Sequence, residues 1–309
     1  MRPIRIAIIG FGKIAADQHV PAIEGNPRFE LVATSSRSGQ GIGRTFTDWR
    51  ELIRSIDGLD AVAITTPPGP RYDIARECIL AGLHCLLEKP PTAGTAEIAD
   101  LDCLAQAKQV SLFTTWHAQY HVTVDAAAQT LAGRRIKTLV IHWHEDVRKW
   151  HPGQQWIWQP GGFGVFDPGI NGLSIATKIF PGGLFVQAAE LQVPANAQTP
   201  ISADIIFSSP QADGPLSANL DWRRGEGEEW TIAIEAADGT TVRLEDGGAK
   251  LILNGETHAD AGLVEYPDIY RTFVDLIDER RSLVDIAPFR LVADCLLVAK
   301  TTRVDPVSM

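Results

Sequence analysis

The sequence predicts an α/β chain in two parts: a doubly wound parallel sheet at the N-terminus, then an α+β part built on a large, mostly antiparallel sheet. Three observations carry that prediction. From residue 4 to about 118, short apolar runs alternate with segments of helical periodicity, the pattern of parallel strands joined by crossover helices. Beyond residue 136, strand-like runs follow one another directly, with Asp238-Gly239 and Asn254-Gly255 between them as turns that join antiparallel neighbours. The length of 309 residues is two domains' worth at about 100–200 residues each, and the change of pattern puts the boundary between 1–118 and 119–309.

The first strand is the run Ile4-Arg5-Ile6-Ala7-Ile8-Ile9, too rich in isoleucine to be anything but buried. Similar runs predict strands at 29–34, 60–65, 84–87 and 111–116. Between them, 14–24, 48–56, 71–81 and 95–109 space their apolar residues for helices, with Thr47 or Asp48 and Thr95 as caps. A helix near 121–132 leads into the second part. There, strands are expected at 136–147, 184–193, 202–208, 216–223, 229–236, 240–245 and 249–254, and helices near 168–180, 266–280 and 288–302.

Composition excludes several classes of function. Hydrophobic residues make 45% and charged residues 21% of the chain, the balance of a globule with a sizeable core rather than a disordered or fibrous chain. A formal net charge of −10 repels polyphosphate and anionic lipid, so a small molecule is the expected partner, with neither nucleic acid nor membrane. Cys78, Cys85, Cys103 and Cys295 form no CxxC pair and no cluster with zinc spacing. The N-terminus lacks the apolar core of a signal peptide, and no apolar run approaches the roughly 20 residues of a membrane span. These features predict a cytoplasmic protein.

Gly10-Phe11-Gly12-Lys13-Ile14-Ala15 is a GxGxxA run placed directly after the first strand and opening a helix. Gly10 suits the tight turn, Gly12 lets backbone N–H groups approach a pyrophosphate, and Ala15 allows close helix–strand packing. The second strand ends in Thr34-Ser35-Ser36-Arg37, where an NAD-selective protein usually offers a carboxylate. Hydroxyls and a guanidinium suit a 2′-phosphate instead, so Ser36 and Arg37 predict NADP, with NAD as the alternative. The strand at 84–87 runs into Glu88-Lys89-Pro90-Pro91, which puts Lys89 at the carboxyl edge that also carries Gly10 and Gly12. An amine partly desolvated beside an oxidised nicotinamide ring favours its neutral form, and can then accept a hydroxyl proton.

The N-terminal GxGxxA, the strand-end Glu88-Lys89-Pro90 and the later Asp167-Pro168-Gly169-Ile170-Asn171 together resemble the Gfo/Idh/MocA family of NAD(P)-dependent oxidoreductases over essentially the whole chain. Within it, Thr115-Trp116-His117 and the run from Glu145 to Trp158 are similar to the bacterial L-arabinose and D-galactose 1-dehydrogenases. The resemblance implies a Rossmann domain carrying NADP, a second domain whose sheet supports a sugar site, and oxidation of an aldose at C1 to the lactone. It implies that Thr66, Pro67, Glu88 and Lys89 join Gly10, Phe11, Gly12, Lys13, Ile14, Ser36 and Arg37 in holding the dinucleotide, and that the Lys89–Pro90 peptide is cis. It also implies pairing of copies through the C-terminal sheet.

Asp167 and Asn171, four residues apart, share one helix face. Asp167 reads either as the helix cap or as a catalytic partner of Lys89. Many relatives carry His where this chain has Asn171; an amide exchanges no proton, so proton transfer falls to Lys89 with Asp167, and Asn171 is left to hold sugar oxygens. The resemblance also implies His117, Glu145 and Trp150 as sugar-binding residues, in keeping with an aromatic face that packs on sugar C–H groups and a carboxylate that accepts from hydroxyls. Trp143, flanked by His142 and His144 on a strand, reads as core. No metal site is expected, since His142 and His144 lack a third ligand and His117 and His121 lack a HExxH glutamate. The alternatives to an aldose 1-dehydrogenase are another sugar or polyol dehydrogenase of the family and a non-catalytic NADP-bound sensor.

Overall fold

The computed structural model describes residues 2–262 and 264–307. The chain divides into two compact units, Met1–His117 with Glu265–Asp285, and Ala118–Val264 with Ile286–Met309. The contiguous segments expected from sequence, 1–118 and 119–309, differ from these units mainly in the stretch 265–285.

In the first unit, β1 (Ile4–Ile9), β2 (Phe29–Ser35), β3 (Arg44–Phe46), β4 (Ala61–Ile64), β5 (His84–Leu87) and β6 (Leu112–Thr114) form a sheet in the order β3-β2-β1-β4-β5-β6. Every pairing is parallel. The order reverses at β1, so the crevice beyond the carboxyl ends of β1 and β4 is the switch point where such sheets take ligands. Crossover helices lie at Val20–Glu24, Trp49–Ser55, Arg71–Leu80 and Thr95–Lys108. Asp48 caps the second of these, accepting from Arg50 N at 2.9 Å. Gly94, not Thr95, occupies the cap of the fourth, and Glu97 reaches back to Ala93 N and Gly94 N at 3.1 and 3.2 Å.

Three elements of this unit differ from the sequence expectation. β3 is a three-residue edge strand, too short to show periodicity. The single helix expected over 14–24 is a π-helical turn, Ala15–His19, followed by an α-helix from Val20; Pro21 has no N–H to continue an α-helical ladder from the preceding turn. The helix Tyr266–Glu279, expected in the second part, belongs here. Its aromatic face explains the placement: Tyr270 meets Phe29 edge-on at 5.4 Å, and Phe273 lies 6.1 Å from Phe29 and 6.2 Å from Phe113. Leu283 then bridges to Phe113, with its N–H on Leu112 O at 2.9 Å.

The second unit holds β7 (Ile136–His144), β8 (Phe185–Pro194), β9 (Ser202–Ser208), β10 (Leu216–Asp221), β11 (Glu229–Ala236), β12 (Thr241–Glu245), β13 (Lys250–Leu253), β14 (Glu256–Asp260) and β15 (Lys300–Val304). Their order is β14-β13-β12-β11-β7-β10-β9-β8-β15. Pairings are antiparallel except β7 with β10 and β8 with β15. β14 was not foreseen, and β15 replaces the end of the helix expected over 288–302, which stops at Val298. Ala299 is already extended, and Thr301, Thr302 and Val304 suit an edge strand better than a helix.

Helices Val122–Leu131, Phe166–Ile179 and Ala287–Val298 belong to this unit. The middle one lies close on the sheet: a Cβ on Gly172 would sit 2.5 Å from the Trp143 ring. Trp143 is buried, as expected of a core residue.

Candidate active site

The first unit contains a cleft of ≈ 710 Å³. β1 delivers Gly10 to it with φ of +101°, and Gly10 N donates to Ser35 O at 2.8 Å. A Cβ at Gly10 would lie 2.6 Å from Thr66 N, whereas one at Gly12 would meet nothing within 4 Å. Backbone thus turns tightly at the first glycine and stays open at the second, which fits a dinucleotide pyrophosphate approaching the N–H groups. Gly10→Ala combines a left-handed backbone with a backbone clash. It is expected to weaken dinucleotide binding at least about tenfold and to lower stability by about 1–3 kcal/mol, as read by fluorescence titration and thermal melting.

Phe11, Ser36, Arg37, Thr66 and Pro67 line the same cleft. Lys13 and Ile14 do not line it; the Lys13 amine pairs with Asp17 one turn on, and Ile14 is 38% exposed. Among the described lining residues the only carboxylate is Asp48, whose Oδ1 is held by the helix cap. Ser38 and Trp49 also line the cleft and were missed, because neither belongs to the GxGxxA spacing.

The turn after β5 carries Lys89. Glu88 N continues the sheet by donating to Ile64 O at 3.1 Å, and the Lys89–Pro90 peptide is cis. Glu88 was expected to touch the dinucleotide, but its buried carboxylate serves the protein instead. Oε1 accepts from Tyr266 Oη at 2.7 Å and from His19 Nε2 at 3.1 Å, and Oε2 accepts from Lys89 N at 2.9 Å. With Nε2 donating, His19 Nδ1 accepts from Tyr270 Oη at 2.7 Å. Burial opposes the Glu88 charge, yet His19, His117 and the Tyr266 hydroxyl outweigh it and hold the carboxyl at about 2. Burial and the Glu88 charge push both tyrosines well up.

The buried Arg71 guanidinium donates to Glu88 O, Pro90 O and Thr66 O. His117 Nδ1 lies 3.1 Å from Glu265 Oε1, and its ring stacks on Tyr266 with centroids 6.0 Å apart. Burial disfavours the imidazolium, but Glu265 and then Glu88 raise His117 above its ordinary value. His19, Arg71, Glu265, Tyr266 and Tyr270 were all missed by the sequence reading. Except for Arg71, whose partners stand 5, 17 and 19 residues away, their partners lie far away in the chain, and no motif links them.

The second unit carries Asp167, Asn171, Glu145 and Trp150. The helix begins at Phe166 with Val165 in the cap position, and no side-chain cap bond is made, so Asp167 is not its cap. Asp167 is 5% exposed and its Oδ2 lies 3.5 Å from His151 Nε2. His151 in turn packs against Trp222, ring centroids 5.2 Å apart. Asn171 follows one turn on and is half-buried. Glu145 is buried with both oxygens engaged, Oε1 by Trp222 Nε1 at 2.9 Å and Oε2 by Trp230 Nε1 at 3.1 Å. Its first task is therefore to order two indoles. Trp150 is 45% exposed, its Nε1 held by Glu228 at 2.7 Å and its ring edge-on to Trp230 at 5.7 Å. His142 and His144 stack at 5.3 Å, and among the described residues no three His, Cys, Asp or Glu side chains are grouped to hold a metal ion.

The GFO_IDH_MocA model, described as an oxidoreductase family with an NAD-binding Rossmann fold, matches residues 4–115. Over 307 residues, 99% of this chain and 99% of the relative, the sequence is 44% identical to galactose 1-dehydrogenase of Pseudomonas fluorescens. The chain belongs to the Gfo/Idh/MocA family. A Gfo/Idh/MocA protein is an oxidoreductase with an NAD-binding Rossmann fold, and residues 4–115 that match it include the lining of the Gly10 cleft from Ile9 to Ile74. The crystal structure of D-galactose-1-dehydrogenase from Rhizobium etli superposes with a TM-score of 0.94 at 44% identity, covering 100% of this chain and 99% of that one. A 3-ketoreductase from Actinomadura kijaniata in complex with NADP and TDP-benzene shares the fold alone, with a TM-score of 0.80 at 16% identity over 98% of this chain and 99% of that one. Among the described residues, no helix is long and apolar enough to cross a membrane.

Proposed function

We propose that the protein is an aldose 1-dehydrogenase that prefers NADP and oxidises D-galactose and L-arabinose at C1 to the lactone. The observation that carries this reading is Lys89, an amine mounted on a clamped turn at the carboxyl edge of the sheet that bears the Gly10 cleft. The substrate class is supported by full-length similarity to galactose 1-dehydrogenases. The two sugars share the configuration of their ring carbons and differ by one hydroxymethyl group, so one pocket suits both.

Gly10, Gly12, Ser36 and Arg37 would hold the dinucleotide, which supplies the hydride acceptor when bound. The chain's own residues handle the proton and the sugar. Lys89 accepts the proton of the anomeric hydroxyl, and Asp167 assists as a buried carboxylate with His151 beside it. Asn171 holds sugar oxygens through its amide, and His117 and Glu145 complete the polar set. Trp150 offers its exposed face to the apolar side of the ring. A cytoplasmic setting is consistent with four unpaired thiols. Pairing of copies through the second unit's sheet belongs to the same reading and is read by light scattering.

The deciding experiment is NADP reduction followed spectrophotometrically with D-galactose, L-arabinose and D-glucose at fixed pH. Galactose or arabinose should be turned over well ahead of glucose; activity confined to a polyol would defeat the reading. Arg37→Ala tests the NADP preference separately. Loss of a charge-assisted contact to a 2′-phosphate should raise the KM for NADP about 10- to 100-fold and leave the KM for NAD nearly unchanged. Equal effects on the two cofactors would count against Arg37 as the phosphate ligand.

A further inference from the structure

We infer that Arg71 is a positioning residue for Lys89, tying the lysine turn to the wall of the dinucleotide cleft. The inference rests on the reading of Lys89 as proton acceptor. Arg71 is the first residue of the helix Arg71–Leu80 and is 2% exposed. Both facts count against a cation there: the positive end of the helix dipole opposes it, and burial strips its hydration. A residue that breaks two local rules needs a compensating task.

Its contacts show the task. One terminal nitrogen, Nη1, donates to Glu88 O and to Pro90 O, the carbonyls on either side of Lys89. The other, Nη2, donates to Thr66 O just beyond β4. Lys89 N is held separately by Glu88 Oε2 at 2.9 Å. The backbone root of the lysine is therefore fixed on both flanks before its side chain begins. Thr66 lines the dinucleotide cleft, and its N–H is what a Cβ on Gly10 would strike. One planar fork thus spans two strand ends that must keep a constant spacing if the amine is to stay in register with whatever the cleft holds. A lysine at 71, with one compact ammonium, cannot reach three carbonyls from two segments in a fixed plane.

Arg71→Lys is the test, with Arg71→Gln replacing it if the first variant does not fold. A loosened mount costs on the order of 100-fold when a reacting group moves by about 1 Å. The kcat with D-galactose and NADP should fall by about that factor, while the KM for the sugar changes less than about threefold. A second measurement needs no turnover: acylation of Lys89 by an amine-directed reagent at one pH, followed by peptide mass spectrometry with and without NADP. In the wild type NADP should change that rate severalfold, and in the variant this response should be lost. A folded variant with wild-type kcat and a wild-type Lys89 response overturns the inference, as does a lowered Tm with both readouts retained. Wild-type protein that oxidises no aldose would instead overturn the functional reading, and the acylation readout would still judge Arg71.

Discussion

Lys89→Ala is expected to lower kcat for aldose oxidation by about 10²- to 10⁴-fold, the range lost when a positioned proton acceptor is removed. Dinucleotide affinity should change by less than about threefold, because the Gly10 cleft is built from the ends of β1, β2 and β4 and not from the lysine side chain. The fold should survive, since Lys89 is only half-buried and its backbone contacts to Glu88 do not need its amine. Lys89→Met, which keeps the length and apolar stem, should be equally slow; if it retained more than a tenth of wild-type kcat, proton acceptance by this amine would be wrong. Steady-state kinetics beside a fluorescence titration of NADP separate the two quantities.

The largest expected change in stability comes from Glu88. Its carboxyl sits at about 2 in the folded protein against an ordinary 4.5. That gap, at about 1.4 kcal/mol per pH unit, corresponds to about 3 kcal/mol of stability. A depressed carboxyl contributes its full share above the unfolded value of 4.5 and loses it as pH falls toward 2. Glu88→Gln keeps the shape but brings an NH₂ group among Tyr266, His19 and Lys89 N, all of which donate in the native arrangement. The variant should therefore be about 3 kcal/mol less stable at pH 7 in denaturant titrations, and the difference from wild type should close between pH 4.5 and 2. A difference that stayed constant across that interval would mean the carboxylate charge is not what the network stabilises. His117 works in the opposite direction: its raised value makes the imidazolium stabilising below pH 6.5, a contribution lost as pH rises through the folded value.

Legibility in the sequence follows the distance over which each signal acts. Gly10, Gly12 and the strand before them were readable because the turn, the open N–H groups and the helix start within six residues. The end of β5 and its lysine were readable for the same reason. The helix at 266–279 showed its amphipathic face in the sequence, but periodicity says only that a face is buried and not which sheet covers it; Phe29 and Phe113 settled that. Glu88 could be seen as a strand-end residue, while its partners at 19 and 266 stand 69 and 178 positions away. Of the two readings of Asp167, the cap fails because the helix starts at Phe166, two residues before the start that the Pro168 signal suggests. β3, β14 and β15 were lost because edge strands of three to five residues carry too few side chains to display a period of two.

The division of the first unit into Met1–His117 and Glu265–Asp285 has a consequence for how the protein is made. At about 5–20 residues per second, a ribosome that has finished His117 needs roughly 10–30 s more to reach Asp285. Throughout that interval the nascent nucleotide-binding half lacks Tyr266, Tyr270 and Phe273, and Glu88 has been synthesised without one of the hydroxyls that later stabilises its charge. The first unit therefore cannot be completed by its N-terminal portion alone: its packing closes only once residues 265–285 have been synthesised.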